Sequence, residues 1–469
     1  MTGNSSWVAA QWITAFAVAG IGCSASAETF HQVSLTNICG IAEQWADESG
    51  ENIETANRAG VDYVLDRTLL TPAATRLVFA LPPDGTDATF LGDSLTLGYG
   101  CYLSWTKEST GLGQRFTCRR LLCKNGSYLS GGNKCPVIID GGVIEIPSDA
   151  TCYLSAHGAR RITIASELAG SGILRMIGKA GSTASPQAYY HLTAANSNFT
   201  GSLYVIQQDT THNDFNKALT LSIADARSLG GDLANMTPKA LMLTRYAKLI
   251  VTNVTTLAKG SNRGVFIGDS TGRIGRISVE REGVFRIETQ VTFNGTLYKE
   301  DEGTLELAGS AMFGSNGTAA KPVAGQNGLV VSGGVVRVCS AGALDGVNVN
   351  LGSWGGRLEL AADLSDSDLA LHGIRNVKTD TPFILGDGLD RLPFSIDVEG
   401  IDVPNGDFAF NYLTVTQTAA DNGVRDMLPS FDNPFKGFKM TPIESTNAVA
   451  ATVSFGLKFT TRGTKIIVR

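Results

Sequence analysis

The sequence predicts an all-β fold in which the chain coils as a β-solenoid, and three observations lead to this prediction. Glycine makes up 54 of the 469 residues and charged residues only 17%, against about 7% and about 25% in an average soluble domain. From about residue 76 onward, short apolar runs alternate with polar residues and end at Gly, Asn, Asp or Ser, which is typical of brief strands joined by turns. The sequence has no long helical period, so parallel strands would have to stack by coiling rather than through helical crossovers.

The predicted strands have one apolar and one polar face, because apolar residues occupy every second position. The clearest examples are Phe285, Ile287, Val291, Phe293, Leu305, Leu307, Val336, Val338, Leu358 and Leu360. Only residues 223–250 show any helical character. A doubly wound α/β fold is therefore not expected.

The amino end of the sequence predicts export. Residues 7–27 carry no charge and end in Ala25-Ser26-Ala27, which suits cleavage by signal peptidase before Glu28. The first basic residue is Arg58, whereas a signal peptide normally begins with a basic region. A cleaved signal peptide is the prediction, and a retained membrane anchor is the alternative.

Composition divides the chain into four predicted segments. They are a signal peptide or anchor at 1–27, an N-terminal capping segment at 28–87, a β-solenoid at 88–375, and further β-rich rungs with a C-terminal cap at 376–469. The end of a solenoid exposes unpaired strand edges. Both caps are therefore expected to be irregular, and the second includes Pro393 and Pro404.

The cysteines are too irregular to predict a disulfide framework. Removal of the leader, which contains Cys23, would leave seven: Cys39, Cys101, Cys118, Cys123, Cys135, Cys152 and Cys339. An odd number leaves at least one free thiol. Those at 101, 118, 135 and 152 are equally spaced and would stack in a column if each coil of the chain matched that interval. The alternative is chance spacing of buried thiols. No spacing is typical of a zinc site.

Two pairs of segments resemble each other at nearly the same offset. Residues 173–174 and 192–201 recur in outline as 304–307 and 309–314, and 226–231 recur as 341–346. These offsets predict a module of several rungs that is used twice.

One stretch resembles a known repeat. In residues 295–314, Leu297, Lys299, Gly303-Thr304-Leu305, Leu307, Gly309 and Phe313-Gly314 follow one another. This order resembles the autotransporter-associated β-strand repeat, and a weaker copy covers residues 170–201. The resemblance extends from about residue 88 to 360.

The resemblance implies a right-handed parallel β-helix of the passenger type, which is exported and either displayed or shed in adhesion or surface-layer roles. The roughly 100 residues after 360 are too few for the outer-membrane translocator barrel of that family. Secretion by the chain's own barrel is therefore not expected.

A candidate esterase site begins at Ser94, in Phe90-Leu-Gly-Asp-Ser-Leu95, which resembles the nucleophile block of the GDSL esterases. Asp209 and His212 would complete a triad. Those enzymes place the serine on an α/β sheet, which this sequence does not predict. The same triplet also recurs at Gly268-Asp269-Ser270, so turn formation is the preferred interpretation.

Carboxylates near the carboxyl end suggest a carbohydrate-active β-helix as another alternative. Asp363, Asp366, Asp368, Asp387 and Asp390 are the candidates, but a single copy of the Leu385–Asp390 pattern does not predict a stacked calcium site. The five histidines (His31, His157, His191, His212 and His372) are scattered, so no metal site is predicted. We assign no catalytic, cofactor or metal residue.

The sequence predicts an exported, non-enzymatic scaffold that is adhesin-like or passenger-like and lies at the cell surface, at the outer membrane or outside the cell. Its partner is an unknown surface or matrix ligand, with carbohydrate as one candidate. A net charge of −6 provides no electrostatic attraction for nucleic acid, and a membrane is contacted only through an uncleaved leader. The alternatives are a β-helical polysaccharide lyase or glycoside hydrolase and, after it, a GDSL-type esterase.

Overall fold

The structure of the chain is all-β, with long parallel sheets, as the sequence predicts. The computed structural model describes residues 28–41, 43–50, 53–69, 76–82, 86–105, 113–131, 136–157, 161–179, 188–207, 219–269, 274–317, 328–344, 347–351, 357–360, 374–375, 394–396, 408–416, 425, 438–448 and 452–461. Short 3₁₀ helices lie at Arg67–Leu69, Ala226–Leu229, Lys259–Ser261 and Ala341–Leu344. No helix in this part of the chain is long and apolar enough to cross a membrane.

Three sheets hold most of the strands, which are named in their spatial order within each sheet. Sheet 1 contains Glu167–Ala169, Val143–Glu145, Arg120–Cys123, Ser94–Leu97, Val61–Leu65, Glu28–Gln32, Trp45–Ala46 and Ile53–Glu54. Sheet 2 contains Thr36–Ile38, Leu77–Ala80, Cys101–Trp105, Ser127–Gly131, Thr151–His157, Ile173–Lys179, Ser202–Gln207, Thr237–Thr244, Arg263–Ile267, Val291–Phe293 and Ala311–Phe313. Sheet 3 contains Ala88–Thr89, Gln114–Thr117, Val137–Asp140, Arg161–Ile164, Tyr189–Leu192, Thr220–Ile223, Ala247–Val251, Ile274–Val279, Thr296–Glu300, Gly328–Val331 and Asn348–Leu351.

Two further sheets lie toward the carboxyl end. Sheet 4 contains Val254–Leu257, Val284–Ile287, Thr304–Leu307, Val335–Val338, Arg357–Leu360 and Phe394–Ile396. Sheet 5 contains Ile374–Arg375, Phe408–Thr416, Thr452–Thr461 and Phe438–Asn447, of which the last three pair antiparallel. Pro393 and Pro404, assigned to the C-terminal cap from the sequence, lie outside the described residues.

From Val61–Leu65 to Tyr189–Leu192, consecutive strands visit sheets 1, 2 and 3 in turn, and each strand as far as Arg161–Ile164 pairs in parallel with the strand three places later. Ser94–Leu97, Cys101–Trp105 and Gln114–Thr117 form one such set, which we call a layer. In sheet 2 the register pairs Tyr102 with Tyr128 and Tyr128 with Tyr153. This order is consistent with a β-solenoid.

The core lies between the inner faces of the sheets and follows the alternation in the sequence. Val61, Tyr63 and Leu65 are fully buried, whereas Asp62 and Val64 between them are half-buried. One continuous cluster of buried side chains runs through the successive layers from Phe30 to sheet 5. Each buried aliphatic side chain contributes about 1.5 to 3 kcal/mol, and it does so against residues of the neighbouring layers.

The predicted capping segment contributes strands to the parallel sheets. Glu28–Gln32 pairs in parallel with Val61–Leu65, so parallel stacking begins upstream of residue 88. Trp45–Ala46 and Ile53–Glu54 then add two antiparallel strands at the edge of sheet 1. Trp45, in the first of these two strands, is fully buried, and its indole Nε1 donates a 2.6 Å hydrogen bond to the carboxylate of Glu43.

Residues 223–250, whose sequence shows some helical character, contain the 3₁₀ helix Ala226–Leu229 and the strands Thr237–Thr244 and Ala247–Val251. Both strands pair with adjacent layers, and this tertiary pairing overrides weak helical propensity. The segments related by the offset are not equivalent, contrary to prediction: Ile173 begins a strand of sheet 2, whereas Leu305 lies in sheet 4. A 3₁₀ turn occurs in both members of the second pair.

On one side of the molecule, sheet 1 covers the earlier layers and sheet 4 the later ones. Regular strand pairing on this side is interrupted between the two sheets. Between them, only an isolated bridge from Gly170 to Phe199 and the 3₁₀ helix Ala226–Leu229 occupy the corresponding positions in the described layers. A few backbone hydrogen bonds, such as those from Asn196 to Arg227 and from Gly231 to Phe199, connect the layers there, and side chains add to them. Buried Asn196 accepts a hydrogen bond from the Leu168 backbone N–H and donates one to the Ser228 carbonyl.

Candidate functional site

Ser94, the candidate nucleophile, lies in a strand of sheet 1 and is 6% exposed. Its neighbour in register is Asp62, and the Ser94 hydroxyl donates a 2.5 Å hydrogen bond to Asp62 Oδ1. Asp209 and His212, the other members of the predicted triad, lie outside the described residues. In the described part of the chain, the hydrogen bond between Ser94 and the Asp62 carboxylate links two neighbouring layers.

We expect Ser94→Ala to lower the free energy of unfolding by about 1 kcal/mol, because a hydrogen bond to a carboxylate is lost. Turnover of a p-nitrophenyl ester should be the same before and after the change. Urea denaturation and a spectrophotometric ester assay measure the two quantities. A loss of ester turnover specific to Ser94→Ala, and absent in the control Ser130→Ala, would restore the esterase hypothesis.

In the part of the chain that the structure describes, neither the second Gly-Asp-Ser triplet nor the histidines lie in a cluster of reactive side chains. Asp269 lies 3.6 Å from the guanidinium of Arg245. His191 is on the outer face of sheet 3, where burial and the neighbouring Arg161 lower its pKa. Among the described residues, no three His, Cys, Asp or Glu side chains are placed to hold a metal ion. The five carboxylates proposed from residue 363 to 390, together with Ser270, His212 and His372, lie outside this part.

Of the two interpretations of the equally spaced cysteines, the structure favours chance spacing over a stacked column. Layers are longer than the interval between these cysteines, since Tyr102, Tyr128 and Tyr153 occupy one column and lie further apart in the chain. Cys101 and Cys152 lie in strands of sheet 2, whereas Cys118 follows a strand of sheet 3. Cys135 is outside the described residues.

The described cysteines are all buried free thiols: Cys39, Cys101, Cys118, Cys123, Cys152 and Cys339. Burial raises the pKa of Cys39 and of Cys118 to about 12. The contact with the Cys152 thiol, together with burial, raises the pKa of Cys123 well above its ordinary value. A thiol that stays protonated and buried is a poor nucleophile, so Cys39, Cys118 and Cys123 act as small core side chains.

Lys299 of the repeat-like motif has a structural position that explains its place in the pattern. Its side chain points into the core and is fully buried. The ammonium group donates to the backbone carbonyls of Glu300, Asp301 and Gly333 at 2.6, 2.8 and 3.2 Å. Lys299 therefore holds a turn whose Asp301 has a φ of 60° and ties it to the next layer.

Lys299 should make stability depend on pH. Burial lowers the pKa of Lys299 to about 8 from its ordinary value of 10.5. Between these values the unfolded chain binds more protons than the folded chain, so this group makes stability rise with pH. Over this window we expect the free energy of unfolding of the wild type to gain about 3 kcal/mol relative to Lys299→Met. Urea denaturation from pH 7 to 10.5 measures the difference, and parallel curves for the two proteins would contradict the prediction.

Carboxylates on the outer faces are paired with arginines of neighbouring layers. On sheet 3, Glu300 accepts two hydrogen bonds from Arg276, at 2.7 and 2.8 Å. On sheet 4, Glu306 lies between Arg286 and Arg337, at 3.1 and 3.0 Å. Such pairing fixes the orientation of the carboxylates and connects the layers.

The outer face of sheet 2 carries a column of tyrosines that we call the tyrosine ladder: Tyr102, Tyr128 and Tyr153. Their rings stack with centroid separations of 4.5 and 4.9 Å and interplanar angles of 9° and 16°. This separation matches the strand spacing of a sheet, about 4.8 Å, so the in-register pairing of the strands produces the stack. All three rings are half-buried.

Guanidinium groups lie at both ends of the tyrosine ladder. Arg76 places its Cζ 4.1 Å from the centroid of Tyr102, and Arg175 places its Cζ 5.9 Å from that of Tyr153. A cation over an aromatic ring is stabilised by about 0.5 to 1 kcal/mol at an exposed site. Each of these strands carries a serine two residues after its tyrosine, on the same face. Ser104, Ser130 and Ser155 thus form a second column of hydroxyl groups beside the rings.

The tyrosine ladder was not predicted from the sequence. Its signal was present, since Tyr102, Tyr128 and Tyr153 each lie within an alternating strand and recur at nearly equal intervals. The interval could be recognised as the layer length only once the pairing of the strands was known.

A comparison with known protein families, with curated proteins and with solved structures found no match to this chain.

Proposed function

We propose that the chain is an exported, non-enzymatic scaffold built as a right-handed parallel β-helix, displayed at the cell surface or released, in the manner of an adhesin or passenger domain. The observation that supports this proposal best is the continuous core running through successive layers of parallel strands. Each layer packs on its neighbours, so the rod tolerates changes in its loops without unfolding. Such a rod suits the presentation of a binding surface.

Right-handed coiling is proposed on general grounds. Parallel strands of one sheet that are joined by a crossover connection are right-handed in about 98% of cases. The resemblance of residues 295–314 to the autotransporter-associated repeat favours the same hand and the same passenger-like role. Two residues of the repeat-like motif have structural positions that explain their place in it. Lys299 holds a turn, and Gly309 lies against the preceding layer.

A carbohydrate-degrading β-helix is the alternative. Such an enzyme should have a groove with several carboxylates free to act as acid, base or calcium ligand. On the described outer faces, Glu300 and Glu306 are each held by arginines, an arrangement that favours a scaffold.

Two measurements test the proposal. Intact cells that produce the protein are treated with protease, fractionated and probed with an antibody raised against the purified chain. We expect the chain to be degraded on intact cells or to be found in the medium, and protection in the cytosol would contradict export. Incubation with acidic and neutral polysaccharides should leave their length unchanged, and chain shortening would favour the enzymatic alternative.

A further inference from the structure

We propose that the tyrosine ladder, with Arg76 and Arg175 at its ends, binds a linear acidic polysaccharide that runs along the column. The inference rests on the proposed display of the chain outside the cell and adds the class of ligand.

The stacked rings present edges and hydroxyl groups rather than faces. Within the ladder, Tyr128 has a ring within 5 Å on each side, and Arg76 and Arg175 cover the outer faces of Tyr102 and Tyr153. A row of phenol hydroxyls, one for each layer, runs beside the half-buried hydroxyls of Ser104 and Ser130, whereas Ser155 in the same column is buried. Each hydroxyl both donates and accepts hydrogen bonds, so the surface suits a polyhydroxylated chain with regularly repeated units.

The charge of this surface selects an acidic ligand. The chain as a whole has a net charge of −6, yet neither outer column of sheet 2 contains an acidic residue in the described strands from Leu77–Ala80 to Ser202–Gln207. The Nε of Arg175 is buried and has no hydrogen-bond partner among the described residues. A ligand cannot reach this buried atom, but Arg76 is exposed and Arg175 is half-buried, and guanidinium groups form strong paired hydrogen bonds with carboxylates.

The distance between the two arginines selects an extended ligand. Arg76 precedes the layer of Val78, and Arg175 lies four layers later in the same column. Four strand spacings of about 4.8 Å separate the two guanidinium groups by about 19 Å. A single sugar cannot span this distance, whereas several linked uronate units can contact both ends and the hydroxyl rows between them.

Single-stranded nucleic acid fits this surface less well, although it is also a linear polyanion. Proteins bind it by stacking bases on open aromatic faces in a basic groove. Here the ring faces are already covered, and the protein is acidic overall.

The test is isothermal titration calorimetry of the full chain with polygalacturonate, with dextran as a neutral polymer and oligo(dT) as a different polyanion. We expect binding of polygalacturonate only, weakened by added salt. The double variant Arg76→Gln/Arg175→Gln should weaken it about tenfold and lower the melting temperature by only a few degrees, because two cation–π contacts are lost. The matched control is Arg161→Gln, whose guanidinium lies 5.4 Å from the ring centroid of Tyr189 on sheet 3, and it should bind like the wild type.

A second variant tests the hydroxyl row without disturbing the stack. Tyr128→Phe retains the ring and removes the central hydroxyl, so we expect binding about threefold weaker, with Tyr189→Phe as the control. Equal binding of dextran or oligo(dT), or equal loss in the sheet 2 and sheet 3 variants, would overturn the inference. If protease treatment places the chain outside the cell but it does not bind polygalacturonate, the proposed ligand is wrong and the scaffold proposal is unaffected.

Discussion

Replacing Arg263 with methionine is expected to lower the free energy of unfolding by about 4 kcal/mol. Arg263 is 1% exposed, and its guanidinium donates to the backbone carbonyls of Phe199, Gly201 and Gly231 at 3.3, 2.6 and 3.1 Å. These carbonyls lie where sheet 1 has ended and sheet 4 has not begun, so no described strand supplies their donors. Methionine retains much of the apolar stem but removes the guanidinium donor to the Gly201 and Gly231 carbonyls, while the Phe199 carbonyl still accepts from the Gly231 backbone N–H at 2.9 Å.

The surroundings of Arg263 indicate that the site is built for this side chain. Gly230 has a φ of 128°, and a Cβ added there would lie 2.6 Å from the Arg263 Cζ. Burial lowers the pKa of Arg263 to about 10, which leaves it charged at neutral pH. Burying the charge costs free energy and so cancels part of the stabilisation that its hydrogen bonds provide. The loss expected for Arg263→Met is the net of these two effects.

Urea denaturation followed by circular dichroism measures the effect of Arg263→Met. The matched control is Arg281→Met, because the Arg281 side chain is 82% exposed and contacts only Glu302 at 3.3 Å in the described ion pairs. Its loss should cost less than about 0.5 kcal/mol. Equal midpoints for Arg263→Met and the wild type would show that the interruption of sheet 1 is stabilised by other contacts.

Gly309→Ala is expected to destabilise the chain by about 3 kcal/mol. Gly309 lies near the end of the repeat-like motif, and a Cβ built on it would overlap the backbone oxygen of Thr289 in the preceding layer. The backbone N–H of Gly309 also donates to the Ile287 carbonyl at 3.0 Å, so the two layers cannot separate without losing this bond. Hydrogen exchange should accelerate first in Val284–Ile287 and Thr304–Leu307, the strands nearest the change.

A second glycine provides the control for this substitution. Gly260 lies in an exposed 3₁₀ turn, and an added Cβ there meets no atom within 4 Å. Gly260→Ala should change the free energy of unfolding by less than about 0.5 kcal/mol. If both alanine variants unfold at the same urea concentration, the close approach of layers is not what requires glycine at position 309.

The esterase-like block shows why a short motif does not by itself define a site. Phe90–Leu95 contains the residue types of a nucleophile turn, but Ser94 lies within a strand that pairs on both sides. A reactive serine needs a base at hydrogen-bond distance, and which residue lies opposite Ser94 depends on the register with Val61–Leu65. The partner is Asp62, which is distant in the chain and adjacent only because the two layers stack.

The sequence by itself determined the class of the fold, because alternation with a period of two is a local property that each short strand carries within itself. Only the tertiary structure decided which residues share a column, since that depends on how many residues each connection adds between layers. Tyr102, Tyr128 and Tyr153 form a ladder because connections of different composition restore the same register. Arg263 is needed because one side of the described molecule is interrupted between sheet 1 and sheet 4, and no local pattern in the sequence records that interruption.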